Sequence, residues 1–291
     1  MNRVLIIGSG DIAMRVIPLL RQRYRVFALV RNPSSFAKLR SLGVIPVAGD
    51  LDDRTSLLRL AGLSNVVLHF APPLNQGEVD TRTRNLLSML SRGSEPKKLI
   101  YLSTSGVYGD CRGAWVSESD SLNPQTARAR RRIDAETQIR QWAMLNGVQT
   151  SILRVPGIYA ADRLPLERLR TGTPCIVSNE DSYTNHIHAD DLARIVVKTL
   201  SNGKPNRIYH ACDDSEMKMA DYFDIVAEAY GLPRPARQSR AEVKQNVSPV
   251  LWSFMNESRR LSNERMKREL KVSLRYAKVT DVFLQDSLIS E

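Results

Sequence analysis

Short, mainly apolar runs recur along the first two hundred residues, at 4–7, 25–30, 44–47, 65–70, 98–103 and 150–155. Between them lie stretches whose apolar positions repeat at helical spacing: 14–23, 34–42, 55–60, 81–91, 125–145 and 192–200. Runs this short and this apolar suit strands buried on both faces, and their alternation with helices predicts an α/β fold built on a parallel, doubly wound sheet. Right-handed crossovers then gather the C-terminal strand ends along one edge, where a ligand crevice forms. Beyond residue 160 the pattern loosens and prolines punctuate short elements. We expect a sheet domain from residues 1–160 plus about 186–210, and a smaller substrate-side lobe from about 161–185 and 211–291. Asp190-Asp191 offers a carboxylate to cap the helix that follows it.

The first strand breaks into Gly8-x-Gly10-x-x-Ala13, which puts Gly8, Gly10, Asp11 and Ile12 forward as the phosphate-binding residues. A strand, a glycine turn and a helix N-terminus in immediate succession place free N–H groups where a dinucleotide pyrophosphate binds, which makes the sheet a Rossmann arrangement. A plain strand–helix turn is the competing reading. The second strand ends at Arg31, where an acidic residue would hold the ribose of NAD. Arg31, with Ser34 and Ser35 at the next helix start, points to the 2′-phosphate of NADP as the preferred cofactor, with NAD as the alternative.

Composition narrows the remaining classes. The chain has 291 residues, 42% of them apolar, and a formal net charge of +11. No run is long enough to span a bilayer, and no secretory leader is expected at the N-terminus. Cys111, Cys175 and Cys212 have no metal-ligand spacing, so we expect reduced thiols in a cytoplasmic protein and no metal. Residues 237–278 hold eleven basic and four acidic side chains. A solvated basic surface is the expectation there, and a nucleic-acid partner is disfavoured for want of a recognition motif.

Several segments resemble the short-chain dehydrogenase/reductase superfamily, in its extended or atypical branch of nucleotide-sugar epimerases and dehydratases. They are Gly49-Asp50-Leu51, Leu99–Gly109 with its Ser103-x-x-x-Val107-Tyr108-Gly109, Leu153-Arg154-Val155-Pro156, and His186–Ala193. The resemblance implies an oxidoreductase or epimerase acting on a small carbonyl- or hydroxyl-bearing substrate, plausibly nucleotide-linked. It implies Asp50 and Leu51 beside the adenine, Ala71 along the cofactor, Pro156 near the nicotinamide, and Ser103 polarising the substrate. A homodimer through 81–91 and 125–145 would also fit the family.

One departure changes the expected chemistry. The family's Tyr-x-x-x-Lys pair aligns with Arg128 and Arg132, and 125–145 contains no tyrosine. The i, i+4 spacing keeps both on one helix face. Arg132 can still hold a ribose, but Arg128 cannot donate a proton near neutral pH. It could instead bind an anionic substrate, or belong to a charged face with no role in the site. Tyr108 and Tyr159 are the displaced-acid candidates, and His186 and His188 titrate in a useful range. A protein that kept NADP(H) as a sensor and lost catalysis is the alternative reading.

Overall fold

The computed structural model describes residues 2–283. Seven parallel strands form one sheet: β1 (Asn2–Ile7), β2 (Tyr24–Val30), β3 (Ile45–Ala48), β4 (Val66–His69), β5 (Lys98–Thr104), β6 (Gln149–Val155) and β7 (Arg207–His210). Their order across the sheet is β7-β6-β5-β4-β1-β2-β3, so the winding reverses between β1 and β4. That reversal opens a crevice above the C-terminal end of β1.

The helices are α1 (Asp11–Leu20), α2 (Phe36–Ser41), α3 (Thr81–Leu90), α4 (Ala127–Asn146), α5 (Leu166–Arg170), α6 (Ala189–Asn202), α7 (Met219–Ala229), α8 (Arg240–Asn246), α9 (Pro249–Met255) and α10 (Glu264–Leu270). Strand residues alternate between two cores. Val4 and Ile6 face Ile12, Val16 and Leu20 of α1 and Leu192 and Val196 of α6. Leu5 and Ile7 face Leu86 and Leu90 of α3 and Ile139 of α4. Burial on both faces is why the strands read as continuous apolar runs.

Several boundaries differ from the sequence expectation, each for a local reason. Gly10 starts α1 three residues early, because its extended backbone (φ −81°, ψ −164°) lets Asp11 enter the helix directly. The stretch 34–42 divides: Asn32 Oδ1 accepts from Ser34 N at 3.0 Å and caps a 3₁₀ turn, Pro33–Ser35, before α2 begins. Residues Arg54–Leu60 likewise form a 3₁₀ helix. The cap of α6 is His188, whose Nδ1 accepts from Asp190 N at 3.2 Å. Asp191 instead turns inward, fully buried, and accepts from the backbone N–H groups of Arg275 and Tyr276.

A separate apolar cluster joins Tyr159, Leu169, Tyr222, Phe223 and Val226 over the crevice end of the sheet. The last described segment does not all stay with that cluster. Met266 and Leu270 of α10 are buried in the core of α1 and α6, so part of the chain beyond 211 returns to the sheet.

Candidate functional site

The crevice is a run of three adjoining cavities. The first lies between the ends of β2 and β3 and is lined by Gly8, Ser9, Arg31, Asp50, Leu51 and Ala71. The second lies over β1 and β5 and is lined by Gly10, Asp11, Ile12, Ser103, Arg132 and Arg163, sharing Gly8 with the first. The third takes the next residues of the same segments: Thr104, Ser105, Arg128, Pro156 and Gly157, closed by Tyr183, Phe254, Glu257 and Arg259.

The glycine turn has the shape a pyrophosphate needs. Gly8 has φ +96°, and a Cβ there would stand 2.5 Å from Ala71 N. A Cβ on Gly10 would meet no protein atom within 4 Å, so the space above it is open to a ligand. Gly10 is also the N-cap of α1 and carries no side chain to satisfy the first N–H groups. A cradle with uncapped donors at the positive end of a helix suits a bound phosphate. Asp11 lines this cavity, but its carboxylate is occupied by Arg15 at 3.1 Å and Arg163 at 2.7 Å. Arg15 reaches on to Asp162 and Asp190.

At the first cavity Arg31 is exposed and has no ion-pair partner among the described residues. Ser34 and Ser35 are less available than their positions suggest, since their amides are already bonded to the Asn32 side chain and carbonyl. Pro156 lines the third cavity.

Helix α4 brings the arginines to the crevice. Thr126 caps it by accepting from Ala129 N at 3.1 Å, and Gly147 ends it in the left-handed conformation. Arg132 Nη1 donates to Tyr101 OH and to Leu102 O, each at 2.9 Å, which fixes the guanidinium beside the second cavity. One turn earlier, Arg128 faces the third cavity, and Phe254 stacks on its guanidinium with 4.0 Å from Cζ to the ring centroid. Burial lowers the pKa of Arg128, an effect only partly opposed by Glu257. It remains a cation at neutral pH.

Two of the hydroxyls read from the sequence are committed elsewhere. Ser103 lines the second cavity, but its Oγ donates to Glu136 on α4. Glu136 is held in turn by Arg154, at 2.7 Å from Nη2 to Oε2, and both side chains are at most 4% exposed. Tyr108 is 1% exposed and lines none of the three cavities. Its hydroxyl meets His210 Nε2 and Arg154 Nη1, each at 2.6 Å, and burial pushes its pKa up to about 12. Tyr108, expected as a displaced acid, thus sits in a buried hydrogen-bond network.

Tyr159, His186 and His188 are buried as well, and burial pushes His186 down to about 3. Thr104 lines the third cavity together with Arg128. Its Oγ1 accepts from Gly106 N at 3.2 Å, leaving its own proton without an acceptor among the described residues. Tyr183 and Arg259 were not singled out from the sequence, whereas Thr104 and Ser105 stand beside Ser103 in the segment expected to polarise a carbonyl.

The basic C-terminal stretch is largely spent on ion pairs. Arg237 pairs with Asp224, Arg259 with Glu257, Arg260 with Glu216, Arg265 with Glu118 and Lys267 with Asp214. Among the described residues no helix is long and apolar enough to cross a membrane, and no cluster of His, Cys, Asp or Glu could hold a metal.

The chain is similar to several known proteins. It is 23% identical over 266 residues to GDP-6-deoxy-D-mannose reductase of Pseudomonas aeruginosa, covering 84% of this chain and 87% of the relative. Among solved structures it resembles a conserved protein of unknown function from Silicibacter pomeroyi, with TM-score 0.83, 28% identity and complete coverage of both chains. UDP-glucose 4-epimerase of Thermotoga maritima, solved with UDP-glucose, superposes with TM-score 0.76 at 16% identity, covering 98% of this chain and 99% of that one. A profile for the NAD dependent epimerase/dehydratase family matches residues 4–212. With its glycine cradle, its seven-stranded sheet and that match over most of its length, the chain belongs to the NAD-dependent epimerase/dehydratase family.

Proposed function

We propose that the protein binds NADP(H) along the crevice and uses it to convert a small hydroxyl- or carbonyl-bearing substrate of the sugar class. The observation that carries this reading is the continuity of the cleft, from Arg31 through the Gly8–Gly10 cradle and Arg132 to Thr104 and Arg128. When bound, the nicotinamide gives or takes a hydride. Gly8, Gly10 and the first amides of α1 receive the pyrophosphate, and Arg31 receives the 2′-phosphate. Asp50 and Leu51 wall the adenine side. Arg132, with Nε and Nη2 free among the described residues, holds the nicotinamide ribose.

On the substrate side, Thr104 donates its hydroxyl proton to the reacting oxygen, while Ser103, already donating to Glu136, can only accept. Arg128 keeps its proton and contributes charge. Tyr183 supplies the phenol of the third cavity for proton exchange, its ring centroid 4.6 Å from Cζ of Arg260 and 5.8 Å from Nζ of Lys218. A homodimer pairing α4 across two copies would cover Met144 and Leu145, 72% and 80% exposed. No observation favours the non-catalytic sensor.

Calorimetric titration with NADPH and NADH tests the cofactor half. NADPH is expected to bind at least tenfold more tightly, and Arg31→Asp to remove that preference. Equal affinities in the unmodified protein would end the NADP assignment, and no binding of either would end the reading as a whole.

A further inference from the structure

Four arginines crowd the first turns of α4, and three of them find an acceptor in the protein. Arg130 pairs with Glu78 at 2.8 Å, Arg131 donates to Gly77 O, and Arg132 donates to Tyr101 and Leu102. Arg128 has no hydrogen-bond acceptor among the described residues. It is half-buried and lies in the first turn of a 20-residue helix, at the positive end of the dipole. Arg131, Arg132 and Arg259 all oppose its charge. A cation in that place is unfavourable unless an anion joins it. Arg259, across the same cavity, adds a buried Nε with no partner, while its Nη1 is tied to Glu257 at 2.8 Å and to Gly109 O.

We propose that Arg128, backed by Arg259, receives a carboxylate that the substrate carries on the carbon next to the reacting one, so that the protein acts on sugar acids. This rests on the cofactor and substrate reading above. Distance favours a carboxylate over the phosphates of a nucleotide sugar. Arg128 stands one helical turn, about 6 Å, from Arg132. It therefore lies at the reacting end of the substrate, not at the far end of a sugar ring. Charge favours it too: Arg128 and Arg259 against Glu257 leave one positive charge, which a monoanion balances. The shape agrees. Phe254 covers one face of the Arg128 guanidinium, leaving its in-plane N–H fork to meet a planar, bidentate group.

The experiment titrates NADPH-loaded protein with D-glucuronate, D-galacturonate and D-gluconate, each against its neutral counterpart: D-glucose, D-galactose and D-glucitol. UDP serves as the phosphate probe, and NADPH affinity and melting temperature are measured on every variant. At least one acid is expected to bind about tenfold or more tightly than its counterpart, the effect of a charge-assisted bond to a partly buried arginine. Arg128→Gln should abolish that advantage while leaving NADPH and UDP affinity and melting unchanged. Arg128→Lys should recover only part of it.

The proposal is overturned if no acid outbinds its counterpart, or if the advantage survives in Arg128→Gln. It is also overturned if Arg128→Gln weakens UDP instead, which would assign the arginine to a diphosphate. Loss of NADPH binding in the unmodified protein would instead strike the cofactor reading, so the two failures are separable.

Discussion

Gly8 and Gly10 are two residues apart in one turn, yet the structure gives them separable duties that substitution can tell apart. Alanine at position 8 meets two obstacles. The backbone sits at φ +96°, which costs an L-residue about 1–2 kcal/mol. The new methyl would also lie 2.5 Å from Ala71 N and 2.8 Å from Ala71 Cα. That backbone is pinned, since Ala71 N donates to Ile7 O at 2.9 Å. Overpacking against it adds about 1–3 kcal/mol. Gly8→Ala should therefore lose about 3 kcal/mol and melt about 5–10 °C lower.

Valine at position 10 meets neither obstacle, because the backbone is extended and no protein atom lies within 4 Å of its Cβ. Loss of a tolerated N-cap costs at most about 1 kcal/mol. Its side chain fills the space proposed for the pyrophosphate, so Gly10→Val should fold normally and lose NADPH affinity by about a hundredfold or more, some 2.7 kcal/mol. Melting followed by circular dichroism, with calorimetric titration, reads both effects. Gly10→Val binding within threefold of the unmodified protein, or Gly8→Ala melting within 2 °C of it, would refute the division.

The buried pairs supply two further expectations. Glu136→Gln leaves the Arg154 guanidinium, 3% exposed, without its counter-charge, and should cost about 3 kcal/mol in urea denaturation. A loss below about 1 kcal/mol would mean that water reaches the pair. Asp213 is 5% exposed, and burial pushes its carboxyl up to about 7. The folded state thus prefers the protonated acid, an advantage complete below about pH 4 and lost as pH rises through about 7. By then the buried anion costs up to about 4 kcal/mol. Asp213→Asn should gain stability over the unmodified protein progressively from pH 4 to 7 and then level off. A constant difference across melting curves taken at pH 4–9 would contradict this.

The strands and most helices were legible because burial on both sheet faces leaves a plain apolar signature, as in Val4–Ile7. The cofactor side was legible because a glycine turn is a local, backbone-scale device. The substrate side depends on contacts made across the chain. Ser103 and Thr104 are equally plausible hydroxyls on a strand buried on both faces, where no polar alternation shows which one keeps its proton free. Only the approach of Glu136, 33 residues away, commits one and frees the other. Tyr108 follows a strand end, yet His210 draws it inside from a distance of 102 residues. The cap of α6 was misplaced for a similar reason. Asp191 could have served locally, but the loop at 275–276 offers it two amides.

Positions 128, 132 and 136 form one stripe along α4, and the number of bonds each makes to the protein grows along it. Arg128 makes none among the described residues, Arg132 makes two, and Glu136 is gripped by Ser103 and Arg154 in the core. The stripe is thus moored at position 136 and free at position 128. The residue that meets substrate can be exchanged without moving the axis on which it sits. A lineage could swap a proton donor for a fixed charge at the free end and keep its cofactor seat, changing the compounds it accepts by a single side chain.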